Sequence, residues 1–360
     1  MKRFLSIVVC VMLVMSMAAC AKTPAPAPNA NPAPNTTPAA AAKIVTMATD
    51  MGGVNDASFN QSAWAGLQKL NKELTDAKVK VSYQESTAQE QYSPNLRTLV
   101  ETKKSELTWA IGYMMAEDLQ KVADQFKDKK FAIIDSAPAT PDKAQSNVTY
   151  VTFKEEEGSF LVGYIAGMTT KSGKVGFVGG MTGDLIKKFE SGFKAGVKAA
   201  RKDADIKVAY AESWIDSGKG EQLATGMYNQ GVDVIYHAAG ATGKGVFDAA
   251  VKKGAGFWVI GVDQDQKALA PNNTLTSMMK RVDQATYQIS KDFVDGKFNG
   301  GKTIVLGLKD GGVGISDSSR QTLNKDILAK VDDYAKKIQN GELKVPTTDA
   351  EYDAYVKNLK

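Results

Sequence analysis

The chain has 360 residues, 24% of them charged, and a formal net charge of +5. Its 45 basic and 40 acidic residues are well mixed, which leaves no basic patch for nucleic acid. Two cysteines and one histidine, His237, are too few for a cysteine- or histidine-based metal site.

The N-terminus reads as a secretory leader over residues 1–19. Lys2 and Arg3 supply the positive start, and Phe4 to Met15 an apolar run too short for a comfortable membrane span. The run ends in Ser16-Met17-Ala18-Ala19-Cys20, small residues placed before a cysteine. This resembles the lipobox of bacterial lipoproteins, which implies cleavage before Cys20 and lipidation of its thiol. An ordinary leader with an accidental cysteine is the alternative. Cys10 lies inside the leader, so the mature chain would hold one thiol and no internal disulfide. Residues 20–42 are almost all Ala, Pro, Asn and Thr, the composition of an extended tether.

From Lys43 onward, short apolar runs alternate with amphipathic stretches, and none is long enough to cross a membrane. Strands are expected at Lys43–Ala48, Val79–Glu85, Leu107–Ile111, Phe131–Ile134, Val148–Phe153, Lys174–Val178, Ile206–Ala211, Val232–Tyr236, Phe257–Val262, Thr274–Met278 and Thr303–Gly307. One helix is expected to begin at Ser58, whose hydroxyl and Gln61 have capping-box spacing. Another is expected at Ser93-Pro94, a cap followed by proline at the first helical position. Repeated strand–helix units call for parallel sheets covered by helices, here as two α/β lobes. The expected first lobe is 43–150 plus about 263–298, and the second 151–262 plus about 299–360. Ligands of such sheets bind beyond the carboxyl ends of the strands, which puts a site in the cleft between lobes.

The strand ends carry aromatic and acidic residues: Asp50, Asn55, Asp56, Phe59 and Asn60 after the first, then Gly112-Tyr113, Asp135, Trp214, His237 to Gly240, Asp263 and Lys280. Any one of these could be turn or cap chemistry. Together they suit a flat, hydroxyl-rich ligand, stacked on rings and bonded to carboxylates. His237 reads as a structural strand-end residue. Gly240-Ala241-Thr242-Gly243-Lys244-Gly245 lacks the spacing of a phosphate-binding loop.

The string Thr49-Asp50-x-Gly52-Gly53-x-Asn55-Asp56-x-Ser58-Phe59-Asn60-Gln61 resembles the opening motif of the basic membrane lipoprotein family, the PnrA-like substrate-binding proteins of ABC transporters. Further matches are Phe153 to Leu161 with Gly163, His237-Ala238-Ala239-Gly240-x-x-Gly243-x-Gly245, Gly261-Val262-Asp263-x-Asp265-Gln266 and Asp310 to Gly314. They follow family order across nearly the whole mature chain. The resemblance implies a type I periplasmic-binding fold and a purine nucleoside ligand (adenosine, guanosine or inosine). It also implies ABC permease partners and a monomer anchored outside the cytoplasm by lipid on Cys20. No enzymatic activity, cofactor, metal or nucleic acid is expected.

In that pattern Phe59 and a second aromatic, Phe189 or Trp214, would sandwich the base. Asp50 and Asn60 would read its edge, with Asn55 beside them. Asp263 and Lys280 would hold the ribose hydroxyls, Gly240 and Gly261 would admit the sugar close to the backbone, and Asp135 is a further candidate. The Glu155–Glu157 run reads as the start of a helix. Alternatives are a sugar-binding protein, a ligand sensor of the same fold, and a nucleoside-cleaving enzyme with a metal on Asp50 and Asp56.

Overall fold

The computed structural model describes residues 41–359. The leader, Cys20 and nearly all of the tether lie outside the described residues. Among those described, no helix is long and apolar enough to cross a membrane.

The first lobe begins with β1 (Lys43–Met51), α1 (Phe59–Leu74), β2 (Val79–Ser86), α2 (Tyr92–Glu101), β3 (Leu107–Ile111), α3 (Ala116–Gln125), β4 (Lys130–Ile134) and β5 (Val148–Phe153). The chain then crosses to the second lobe. There it forms α4 (Glu155–Thr169), β6 (Lys174–Gly179), α5 (Asp184–Ala200), β7 (Asp205–Tyr210), α6 (Ser217–Asn229), β8 (Val234–Ala238), α7 (Lys244–Lys253), β9 (Trp258–Asp263) and β10 (Thr274–Lys280). It returns for α8 (Val282–Val294) and β11 (Thr303–Leu306), then crosses again to β12 (Val313–Ile315), α9 (Asp317–Thr322), α10 (Lys325–Gln339) and α11 (Asp349–Asn358).

Two six-stranded sheets result, ordered β11-β5-β4-β3-β1-β2 and β12-β10-β9-β8-β6-β7. Every pairing is parallel except β10 with β12. All eleven expected strands form, with ends displaced by a few residues. β12 was not foreseen.

The expected division of the C-terminal third needs correction. β10 belongs to the second sheet and β11 to the first. α8 packs on α1 in the first lobe, while α10 and α11 pack on α4 and α5 in the second. The backbone therefore passes between lobes three times, near Lys154, Arg281 and Gly307–Gly312. Backbone bonds tie these crossings together: Lys154 N–H donates to Leu306 O at 3.0 Å and Arg281 N–H to Gly312 O at 2.8 Å.

Both sheets are covered on two faces, so their central strands are apolar throughout, and every residue of β3 and β8 is buried. α4 is buried along most of its length, from Glu155 to Gly167. It approaches α5 closely because glycines line the seam. A Cβ on Gly163 would sit 2.2 Å from the Phe193 carbonyl oxygen, and one on Gly196 2.0 Å from that of Phe160.

The two expected helix starts also differ in detail. Ser58 makes no side-chain cap of α1. The Asp56 carboxylate does that work, accepting the backbone N–H of Ser58, Asn60 and Gln61 at 2.9, 2.8 and 3.0 Å. α2 starts at Tyr92, one residue before Ser93-Pro94, because the single turn Gln89–Gln91 leads into it.

Candidate functional site

Parallel strands carry their carboxyl ends to one edge of each sheet, and these two edges face one cleft, with about 560 Å³ of empty space when its opening to solvent is included. From the first lobe Asp50, Phe59, Asn60 and Asp135 line it; from the second come Phe189, Trp214, Gly240, Asp263 and Lys280. Nine of the eleven residues expected at the site thus share one cavity, and both candidates for the second aromatic wall, Phe189 and Trp214, border it.

Asn55 and Gly261 do not line it. The Asn55 side chain is exposed, and its backbone carbonyl accepts from Lys244 Nζ at 3.0 Å. Gly261 lies inside the second sheet. A Cβ there would come within 2.6 Å of both Gln266 Oε1 and Ser277 Oγ, so this glycine makes room for neighbouring side chains.

The acidic end of the first lobe is a small network. Asn60 Nδ2 donates to Asp50 Oδ1 at 2.7 Å and to Asp56 Oδ2 at 3.2 Å. Its Oδ1 is buried with no protein partner. Burial pushes the Asp50 carboxyl well above the ordinary carboxylate range, against the Asn60 hydrogen bond. Asp56 is also raised by burial, and its oxygens are occupied by three backbone N–H groups and Asn60. Little of its capacity is left for a metal, which counts against the clustered-carboxylate enzyme.

Lys280, the last residue of β10, also lines the cavity. Its Nζ lies 2.6 Å from Asp135 Oδ2, across the cleft, and 3.0 Å from Glu155 Oε1 at the start of α4. The second contact is an ion pair without hydrogen-bond geometry, since Glu155 Oε1 has no hydrogen-bond partner. The ammonium also sits 5.2, 5.1 and 5.5 Å from the ring centres of Phe59, Phe153 and Phe189. Burial opposes its charge, but the Asp135, Glu155 and Asp263 carboxylates outweigh burial and raise its pKa. Burial raises Asp263 to about 7 and Asp135 to about 6, with Lys280 pulling both down. Asp135 Oδ1 faces no protein donor. Asp135 follows β4 and Asp263 ends β9, both in left-handed backbone, with φ of 63° and 67°.

Asp263 Oδ2 accepts a hydrogen bond from the Ser58 hydroxyl of the other lobe. This is why Ser58 does not cap α1. The Glu155–Glu157 run does open a helix, α4, as expected. His237 lies within β8, is fully buried and is kept neutral, its pKa lowered by burial to about 4.

Several lining residues were not singled out: Met51, Leu185 and Ile186, with Tyr113 and Gly112 noted only as a strand end. Leu185 and Ile186 start α5, where apolar residues look like ordinary core. Their position after the Gly179-Gly180 strand end was the available signal.

Two parallel-sheet lobes meeting over a cavity at their strand ends define the solute-binding class of α/β proteins. The solved structure of an ABC transporter solute-binding protein from Aeropyrum pernix K1 matches with a TM-score of 0.78 at 29% identity. That match covers 88% of this chain and 97% of the other. A dimeric Lac repressor shares the fold alone, with a TM-score of 0.55 at 14% identity over 76% and 97% of the two chains. The family model for PnrA-like ABC transporter substrate-binding proteins matches residues 43–349, and the chain belongs to that family. Among curated relatives, the CD4+ T-cell-stimulating antigen of Listeria monocytogenes is 44% identical over 318 residues, 84% of this chain and 87% of that one. Basic membrane protein A of Borreliella burgdorferi is 37% identical over 309 residues, 86% and 89% of the two chains.

Proposed function

We propose that this ABC transporter substrate-binding protein is a lipid-anchored, extracytoplasmic receptor for purine nucleosides, which it delivers unaltered to a membrane permease. The observation that carries the reading is the meeting of aromatic side chains and carboxyl groups from both lobes in one cavity. Phe59 from one lobe and Phe189 or Trp214 from the other hold the flat base. Stacking of this kind contributes roughly 1–3 kcal/mol per base. Asp50 and the unpartnered Asn60 Oδ1 meet the base edge. Asp263, Lys280 and Asp135 take the ribose hydroxyls, each bond to a charged group worth about 1.5–3 kcal/mol. Gly240 lets the sugar lie near the backbone. The lipid on Cys20 and the 20–42 tether keep the domain at the outer face of the cell membrane.

Binding proceeds by closure. Ligand docks on one lobe, the three crossings bend, and the second lobe completes the cage and excludes water. Titration calorimetry with inosine, guanosine, adenosine, AMP and ribose tests the ligand class. Nucleosides should bind and ribose should not. A preference for free sugars would make this a sugar receptor, and release of free base from inosine with divalent metal would make it an enzyme.

A further inference from the structure

We propose that Gln266 is a positioning residue: a latch that holds the two lobes together from outside the ligand cavity and thereby sets how long ligand stays. Gln266 does not line the cavity. It is 3% exposed and spans the seam between lobes. Its Nε2 donates to the Ala57 carbonyl of the first lobe at 2.8 Å. Its Oε1 accepts the Val262 backbone N–H at 2.8 Å and faces His237 Nε2 at 3.0 Å. A backbone N–H can only donate, so this contact fixes which end of the amide is oxygen. His237 Nδ1 is buried without a partner, which assigns the ring proton to Nε2 and makes it a second donor to the same oxygen. With Oε1 pinned from two sides, the amide N–H has one direction left, across the cleft.

The surroundings fit this role. Gly261 leaves the space that the Gln266 side chain fills. Ala57, which supplies the acceptor, has a φ of 56°, an uncommon conformation for alanine. Three further bridges grip the same short segment: Lys244 Nζ to Asn55 O, Ser58 Oγ to Asp263 Oδ2, and Gln264 Nε2 to Gln61 Oε1 at 2.5 Å. Gln266 is the one bridge whose donor is held rigidly inside its own lobe. The Gly261–Gln266 stretch therefore serves twice, Asp263 facing the ligand and Gln266 the opposite lobe.

The inference rests on lobe closure and is tested apart from ligand identity. Full-length wild type, Gln266→Ala and Gln266→Glu are compared by small-angle scattering without added ligand, and by stopped-flow dissociation of inosine. Gln266→Glu keeps both bonds within its own lobe. At about pH 8.5 the charged carboxylate opposes the Ala57 carbonyl, so this variant separates a latch from a packing role. Ligand-free wild type should exchange between closed and open forms, and both variants should shift it further toward the open form and a larger radius of gyration, with inosine leaving about tenfold faster and association little changed. Scattering and dissociation like wild type in Gln266→Glu would overturn the latch, as would loss confined to Gln266→Ala together with a lowered melting temperature. If wild type fails to bind inosine, the nucleoside reading falls, while scattering of the three proteins still decides the latch.

Discussion

Lys280 is held by charge on one side and by rings on the others, and its removal should be among the costliest single changes in the chain. Lys280→Met would leave Asp135 buried without its ion-pair partner and Glu155 with Lys188 alone, 3.4 Å away. Loss of one partner from a buried pair typically costs about 3–5 kcal/mol, and urea unfolding of the variant should report a loss of that order. Asp263 and Asp135 make the fold sensitive to pH. Their carboxyl groups hold protons up to about 7 and about 6 in the folded chain, against about 4 when unfolded. A proton bound more tightly in the folded state adds stability at low pH, and that contribution is lost as pH rises through the folded values. The melting temperature should therefore fall between pH 5 and 8 through these groups, and Asp263→Asn should flatten the slope. Phe59→Ala should weaken inosine binding by about 1–3 kcal/mol in calorimetry without changing the fold. Most of these side chains were legible because they stand at the carboxyl ends of strands or in the segments that follow them. Asn55, and Gly261 as the family resemblance implied it, do not line the cavity, because a position near the cleft does not say which atoms face it.

The α4–α5 pair is set by its glycine seam. Gly163→Ala would drive a methyl group against the Phe193 carbonyl, and overpacking of this kind costs about 1–3 kcal/mol by thermal or chemical unfolding. The same local logic explains what the sequence disclosed about the elements. Central strands covered on both faces, such as β3 and β8, are continuous apolar runs and stood out for that reason, while the more exposed β2, β7 and β11 were marked by short β-branched runs between helical patterns. β12 has three residues and pairs antiparallel beside a crossing, which leaves too short a pattern to notice. The capping-box spacing at Ser58 was real, but its hydroxyl serves the opposite lobe. That allegiance depends on a contact 205 positions away along the chain and has no local signature. The exchange of β10 and β11 between sheets was likewise hidden, because a strand's composition does not say which sheet it joins.

The two lobes are joined by three backbone crossings and clasped at the segment Asn55 to Gln61 and by the Lys280–Asp135 pair. An interlobe site of this design predicts compaction on ligand binding, visible as a smaller radius of gyration when inosine is added. Its charge predicts selectivity as well. Asp50, Asp56, Asp135 and Asp263 line the cavity together with one lysine, Lys280, and among the described lining residues nothing resembles a phosphate cradle. AMP should therefore bind more weakly than adenosine.

The confinement of Lys280 also supplies a chemical clock for the molecule. An amine that contributes 2% of its side chain to the surface, and is locked against a carboxylate of the facing lobe, is shielded from acylating reagents while the halves are together. Each parting of the halves exposes it briefly. The rate at which acetic anhydride labels Lys280, relative to the surface lysines, would thus count openings in the native protein, and a tightly held guest would slow that count.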